Sequence, residues 1–359
     1  RIGRHPSYCS PGEFPGAPDR LYRNLGDGRF EDVSEKAGVA IAGPDAGKSL
    51  GVIAFDSEDD GDIDLFVACD QVPNLFFRND GRGKFREDAL IAGLAYSDAG
   101  ISQAGMGVDA GDIDLDGRQD LVVTNFSDET NAVYLAEPGG RFREASKALG
   151  VAGPSLVPLG FGVVLWDFDR DSDLDIYVAN GHVQDNIATI RPGMTFAQPD
   201  LLLENRDGRE FAPVTAASAG AWLERALVGR AVATGDYDND GDEDLLVVHA
   251  SGPVALLRND AAPDARWIAF RLRGTRSNRD GYGAVLRTTF VRAASRSTRV
   301  AECRAGRSYT ASSDPRVRFG LGRGEVAVER VEIRWPSGIV QTIDRPEIDR
   351  VHDVVEPSA

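Results

Sequence analysis

The chain has 359 residues, 42% of them hydrophobic, and a formal net charge of −17. That is enough apolar material for two domains, but no apolar run approaches the roughly 18 residues of a membrane-spanning helix. The charge is divided: residues 266–359 carry 18 Arg against 11 acids, a balance of +7, which leaves −24 for residues 1–265. An acidic body argues against nucleic acid as a partner and for cations, and the basic tail is suited to hold that body electrostatically.

In chain order, the first element is a pair of short strands in "LYRNLGDGRFEDV" from Leu21, followed by a helical turn in "EKAG". Next comes "DSEDDGDID" from Asp56, and its pattern returns as "DIDLDGRQD" from Asp112, "DFDRDSDLD" from Asp167 and "DYDNDGDED" from Asp236, at intervals of 56, 55 and 69 residues. Between these loops the motif of Leu21 recurs as "LFFRNDGRGKFRED" from Leu75, "VYLAEPGGRFREA" from Val133 and "LLLENRDGREFAPV" from Leu201, with a degraded copy, "ALLRND", from Ala255. Each unit reads as four strands. In the second, "GMGVDAGD" enters the acidic loop, "DLVVTNF" leaves it, and "AVYLAE" and "RFREAS" follow, separated by glycine-containing turns. Four-stranded units at this period predict an all-β fold, a β-propeller with one blade per unit. Residues 1–265 then hold four whole blades and half of another, and the half blade implies further blades in front of it.

The loops carry the chemistry. Acids at places one, three, five and nine of a tight turn repel one another unless a cation sits between them, and alternate carboxylates are what a hard, oxygen-seeking ion such as Ca²⁺ collects. The predicted ligands are Asp56, Glu58, Asp60 and Asp64; Asp112, Asp114, Asp116 and Asp120; Asp167, Asp169, Asp171 and Asp175; and Asp236, Asp238, Asp240 and Asp244. Place seven, Asp62, Arg118, Asp173 and Asp242, adds a backbone carbonyl, so its side chain is free to vary. Place six is Gly61, Gly117 and Gly241, which allow a positive φ, but Ser172 in the third loop. Ser172 and the substitution of Glu58 mark the third and first loops as weaker sites. An EF-hand is excluded, because place twelve is Val67, Val123, Val178 and Val247 where that loop needs Glu, and because strands flank it. Several structural Ca²⁺ ions of the millimolar, extracellular kind are therefore expected, which favours a secreted, periplasmic or cell-surface location.

These stretches resemble the FG-GAP (VCBS) repeats, and more closely the cartilage acidic protein family, whose repeats end in an ASPIC/UnbV domain. The resemblance rests on "AGMGVDAGDIDLDGRQDLVVTNFS" from Ala104, "DIYVANGHV" from Asp175, "GRAVATGDYDNDGDEDLLV" from Gly229, "SNRDGYGA" from Ser277, "SYTASSDPRVRFGLG" from Ser308 and "VEIRWPSG" from Val331. It implies a calcium-bearing secreted or envelope propeller followed by a small β domain, residues 266–359. Cys303 in "ECRAGRSY" departs from the pattern.

The tail alternates as half-buried strands do. Ile268, Phe270 and Leu272 share one face and Arg271 and Arg273 the other; Val331, Ile333 and Trp335 oppose Glu332 and Arg334. A small β-sandwich or barrel follows, with its arginines read as a solvated face. The three cysteines, Cys9, Cys69 and Cys303, lack CxxC spacing and read as buried or incidental thiols. His5, His182, His249 and His352 are not spaced for zinc, and His182 in "ANGHVQDN" is read as a local hydrogen-bonding residue. No nucleophile elbow, phosphate-binding glycine loop or dinucleotide fingerprint occurs. Two function classes follow: a non-catalytic binding or adhesion scaffold for an extracellular protein or glycan, and, as the alternative, an enzyme or natural-product biosynthesis accessory protein that uses the propeller channel. A filled channel favours the first and a deep channel lined by converging titratable groups the second.

Overall fold

A computed structural model describes residues 6–43, 46–304 and 306–358. After a hairpin of β1 (Tyr22–Asn24) and β2 (Phe30–Asp32) come two four-stranded antiparallel sheets. The first is β3 (Ser49–Phe55), β4 (Asp64–Cys69), β5 (Leu75–Asn79) and β6 (Phe85–Glu87), and the second β7 (Val108–Gly111), β8 (Asp120–Val123), β9 (Ala132–Glu137) and β10 (Arg141–Glu144). A third four-stranded sheet contains β11 (Gly160–Trp166), β12 (Asp175–Asn180), β13 (Leu201–Asn205) and β14 (Phe211–Pro213). The fourth has three strands, β15 (Gly229–Gly235), β16 (Asp244–His249) and β17 (Ala255–Leu257). The stretch "ALLRND" is thus the third strand of the fourth sheet, and the chain leaves for the tail where a fourth strand would come. Strand order follows chain order in every one of these sheets, and the first strands β3, β7, β11 and β15 lie beside one another. The sheets are blades of a β-propeller.

Successive blades pack face to face because alternate residues of each strand point to opposite sides. Between the first and second lie Ile53, Phe55, Phe66 and Phe76 from one, and Val108, Leu121, Tyr134 and Phe142 from the other. Phe55, Phe76 and Phe142 stand 6.1–6.3 Å apart, tilted or edge-on. Ile113, Val122, Val163, Ile176 and Leu203 fill the next interface, and Trp166, Tyr177, Val232, Leu245 and Val247 the one after. Each large apolar side chain so buried contributes on the order of 2–3 kcal/mol. The arc ends in apolar surface. Leu50 and Val52 of β3, and Leu246, Val248 and Leu256 at the other end, are exposed on the faces turned away from neighbouring blades.

The tail is a sandwich of two sheets. One is β18 (Arg266–Arg273) between β21 (Val317–Gly322) and β24 (Val351–Val355), the last pair parallel. The other runs β20 (Ser295–Glu302), β19 (Val285–Arg292), β22 (Val326–Arg334) and β23 (Val340–Asp344). Ile268, Phe270, Leu272, Val331, Ile333 and Trp335 meet in its core, as their alternation predicts. Among the described residues no helix is long and apolar enough to cross a membrane.

The tail does not hang free. Residues Arg307–Asp314 run against the inner strands of three blades: Ser308 exchanges backbone hydrogen bonds with Val108 at 2.7 and 3.3 Å, and its hydroxyl accepts from Val163 N–H at 3.1 Å. Further on, Thr234 N–H donates to the Ser313 hydroxyl at 3.0 Å and Asp314 N–H to the Thr234 carbonyl at 2.9 Å. The Arg307 guanidinium donates to the Leu165 carbonyl at 3.3 Å and stands 3.6 Å from buried Asp109. The inner rim of the propeller is thereby filled by its own C-terminal domain.

Candidate metal centres

Each acidic loop joins the first strand of a blade to the second, at the same end of every blade. Two backbone kinks curl it. Place six takes φ of 96°, 90° and 101° at Gly61, Gly117 and Gly241, and Ser172 takes 93°. Place four is also left-handed, at Asp59, Leu115, Arg170 and Asn239, with φ between 58° and 65°. For non-glycine residues that conformation costs about 1–3 kcal/mol each, so the surroundings must enforce it. In the third loop Ser172 N–H donates to Asp167 Oδ2 at 3.0 Å, and the Ser172 hydroxyl donates to the Gly320 carbonyl of the tail at 2.8 Å.

Place one is the hub. Its carboxylate accepts the N–H of place five or six in every loop: Asp56 from Asp60 and Gly61, Asp112 from Gly117, Asp167 from Asp171 and Ser172, Asp236 from Asp240 and Gly241. Place nine is a staple. Asp120 accepts the N–H of Ile113 at 2.8 Å and of Ala136 at 2.7 Å, Asp175 those of Phe168 and Asn205 at 3.1 and 2.8 Å, and Asp244 those of Tyr237 and Asn259 at 3.1 and 2.9 Å. Each of these carboxylates ties the loop to the third strand of its blade or the residues just after it.

In three loops, places one, three and nine converge. Asp112, Asp114 and Asp120, then Asp167, Asp169 and Asp175, then Asp236, Asp238 and Asp244 each bring ligand oxygens within 4.8 Å of one another. Oxygens bound to one Ca²⁺ at about 2.3–2.6 Å stand at most about 5 Å apart, so these spacings fit a shared ion. Each of these loops also holds a buried carboxylate oxygen with no hydrogen-bond partner, Asp112 Oδ1, Asp173 Oδ1 and Asp242 Oδ1. Asp112 belongs to its set, while Asp173 and Asp242 stand beside theirs at place seven, Asp242 with Arg170 3.7 Å from its other oxygen; an unpartnered buried carboxylate oxygen is costly, and a divalent ion among these oxygens would relieve it. The residues present therefore fit a hard divalent ion held by Asp112, Asp114 and Asp120 and by the corresponding sets in the third and fourth loops.

Other predicted ligands go elsewhere. Place five turns back on the loop: Asp60, Asp116, Asp171 and Asp240 accept the N–H of place seven at 2.9–3.2 Å. At place seven, Arg118 donates to the Ala136 carbonyl at 3.2 Å and pairs with Asp116, while Asp173 and Asp242 are buried rather than free to vary. In the first loop, Asp56, Glu58 and Asp64 form no such triad.

Burial pushes these carboxyls up. Burial first, and then the neighbouring Asp116 and Asp114 charges, raise Asp112 to about 6, and Asp120 rises to about 8. Burial and the Asp171 charge raise Asp169 to about 6 and Asp173 to about 8, and Asp167 and Asp175 are raised well above the ordinary range. The sign follows: groups with raised folded pKa favour the ion-free fold at low pH, and that contribution is lost as pH climbs from about 4 through 8. Calcium requires the ionised form, so its affinity should rise about tenfold or more between pH 6 and 8, with protons released on binding. Titrations in two buffers of different ionisation enthalpy should give different heats; equal heats would contradict this.

The repeats also use residues that the pattern of acids does not display. Asn79, Asn205 and Asn259 sit just behind the place-nine carboxylates, and their side-chain amides reach loop carbonyls: Ile63 at 3.0 Å, Ile113 and Leu174 at 3.0 and 3.1 Å, Phe168 at 2.7 Å. Asn205 and Asn259 bind the loop of the preceding blade. Their signal was the Asn repeated in "FFRN", "LLLEN" and "LLRN". The tail arginines are the other omission. Arg318 stands 3.1 Å from Asp236 Oδ2, Arg316 donates to the Asp236 carbonyl at 3.0 Å, Arg299 to the Ser172 carbonyl at 2.7 Å and Arg292 to the Asp171 carbonyl at 3.2 Å. Arg271 remains on a solvated face, but these do not: they hold the acidic body. Arg299, Arg316 and Arg318, with Arg304 and Arg307, line a small cavity of about 130 Å³ between propeller and tail.

His182 is buried, accepts the Gln184 N–H at 3.0 Å through Nδ1, and is pushed down to about 4, chiefly by burial. That keeps its imidazole neutral near pH 7. Cys9, Cys69 and Cys303 are all free thiols; burial pushes Cys69 up to about 11 and Cys303 up to about 12.

Acidic loops at one end of four stacked blades, followed by a β-sandwich locked onto them, define an FG-GAP repeat propeller with an appended domain. The FG-GAP-like repeat family matches residues 56–123 and 112–178, and the ASPIC and UnbV family matches residues 274–359. The chain belongs to the FG-GAP repeat proteins that carry an ASPIC/UnbV domain. It is similar to mouse and human cartilage acidic protein 1, each 27% identical over 91% of this chain; the match spans 48% and 46% of those proteins, so the chain covers about half their length. It also superposes, at a TM-score of 0.33 and 18% identity over 69% of this chain and 76% of the other, on an Agrocybe aegerita lectin that recognises non-reducing terminal N-acetylglucosamine, too loosely to bear on function.

Proposed function

We propose that the chain is a calcium-stabilised propeller of the extracellular space, periplasm or cell surface that acts as a non-catalytic binding or adhesion scaffold for a protein or glycan. The observation that carries this reading is the trio of converging carboxylate sets, each with an orphaned oxygen beside it. Ions of this class bind at about 10⁻⁴–10⁻³ M, a concentration met outside cells and not in cytosol. Two further observations support it. Segment Arg307–Asp314 fills the inner rim where a channel enzyme would place its substrate. The relatives are named for cartilage.

On this reading the ions act on the scaffold and the partner meets its loops. A binding screen of immobilised extracellular proteins and glycans, run with millimolar calcium and with chelator, is expected to yield a partner retained only with calcium. Retention that ignores calcium, or turnover of any glycan or peptide in the panel, would overturn the reading.

A further inference from the structure

The first acidic loop has a different solution to the same charge problem. Its third place is Glu58, one methylene longer than the Asp of the other loops, and its carboxylate is drawn aside to Arg78 of β5 at 2.9 Å. Arg78 is in turn fixed by Asp88 at 3.0 Å and by the Gly140 carbonyl at 2.7 Å. At place one, buried Asp56 accepts from Arg334 of β22 at 2.7 Å, and the same guanidinium nitrogen donates to Asp59 at 2.7 Å. A second tail arginine, Arg287 of β19, also pairs with Asp59. At place nine, Asp64 accepts the Ser57 hydroxyl on one oxygen and the Asn79 N–H on the other at 2.7 Å. No carboxylate oxygen of residues 56–64 is left buried without a hydrogen-bond partner, whereas each of the other three loops has one.

We propose that the guanidinium of Arg334 is the cation of the first loop, so that the chain holds three calcium ions rather than four and the first loop is the clasp that fixes the C-terminal sandwich to the propeller. Asp56, Glu58 and Asp59 are each matched by an arginine, which lowers the electrostatic demand for a divalent ion there. A guanidinium is always charged, and its donors can serve two carboxylates at once, which suits it to a fixed joint. The fourth loop shows the contrast. Arg318 approaches Asp236 but is shared with Asp314, and the set of Asp236, Asp238 and Asp244 still converges.

The inference rests on the calcium reading, and native mass spectrometry of the full chain in calcium separates the two. Three bound ions are expected for the unaltered chain, three for Glu58→Gln and two for Asp114→Asn. Four ions, or a lost ion in Glu58→Gln, would overturn the inference while leaving the calcium reading intact; no ions at all would overturn the calcium reading itself. A second readout does not depend on ion number: Arg334→Gln leaves Asp56 buried without its partner and should lower Tm by about 5 °C with calcium and with chelator alike. An unchanged Tm would also overturn it.

Discussion

Chelation is expected to lower the melting temperature of this chain by about 5 to 11 °C relative to the chain in 10 mM calcium. The estimate starts from three sites with dissociation constants of about 10⁻⁴–10⁻³ M, each stabilising the folded form by RT ln(1 + [L]/Kd), or about 1.4–2.7 kcal/mol at that concentration. Three independent sites sum to about 4–8 kcal/mol, and with an unfolding entropy of about 2.1 cal/mol/K per residue each kcal/mol moves the Tm of a chain this long by about 1.3 °C. The physical source is carboxylates held in the protein interior, with their mutual repulsion added: without an ion, burial first and neighbouring charges second push Asp112, Asp120, Asp167 and Asp175 towards taking up protons. Differential scanning calorimetry in the two conditions measures it. A shift of less than a degree or two would contradict the account.

Asp175→Ala should destabilise the calcium-loaded chain by about 3–9 kcal/mol. Asp175 has two jobs. As a member of the third carboxylate set it holds an ion, and as a staple it accepts the Phe168 and Asn205 N–H groups inside the protein. Removing the acceptors leaves one buried and one part-buried donor unsatisfied at about 1–3 kcal/mol each, and losing the ion adds about 1.4–2.7 kcal/mol. Asp169→Asn separates the two jobs, since Asp169 belongs to the same set without stapling β13 and the amide retains an acceptor oxygen. It should destabilise only when calcium is present, by the ion's share alone. Chemical denaturation of both variants with calcium and with chelator tests this; an Asp175→Ala variant as stable in chelator as the unaltered chain would show that its staple is dispensable.

Much of this was legible in the sequence because it is local. A period of about 55 residues, acids at alternate places, a glycine at place six and valine at place twelve all act within a dozen residues, and the blades, the strand-flanked loops and the sandwich core of Ile268, Phe270, Val331 and Trp335 follow from them. The left-handed place four escaped because Asp59, Leu115, Arg170 and Asn239 share no side-chain type; the fold imposes that conformation on whatever is there. The role of the tail arginines escaped for a different reason. Arg334 meets Asp56 across 278 positions of chain, and alternation in "VEIRW" says only that Arg334 points away from the sandwich core, not what waits on that side. The sequence shows a basic tail and an acidic body, but only the packing shows that some arginines bind loop carbonyls while Arg334 pairs with Asp56 and Asp59. The three-stranded fourth blade was likewise hidden, since the loss of a strand leaves no residue to mark it.

The most direct test of the central claim is an anomalous difference map from crystals grown in millimolar calcium. The account predicts three peaks, one among Asp112, Asp114 and Asp120, one among Asp167, Asp169 and Asp175, and one among Asp236, Asp238 and Asp244, each with oxygens at about 2.3–2.6 Å. Maps that show those carboxylates turned out to solvent with no peak between them would contradict it.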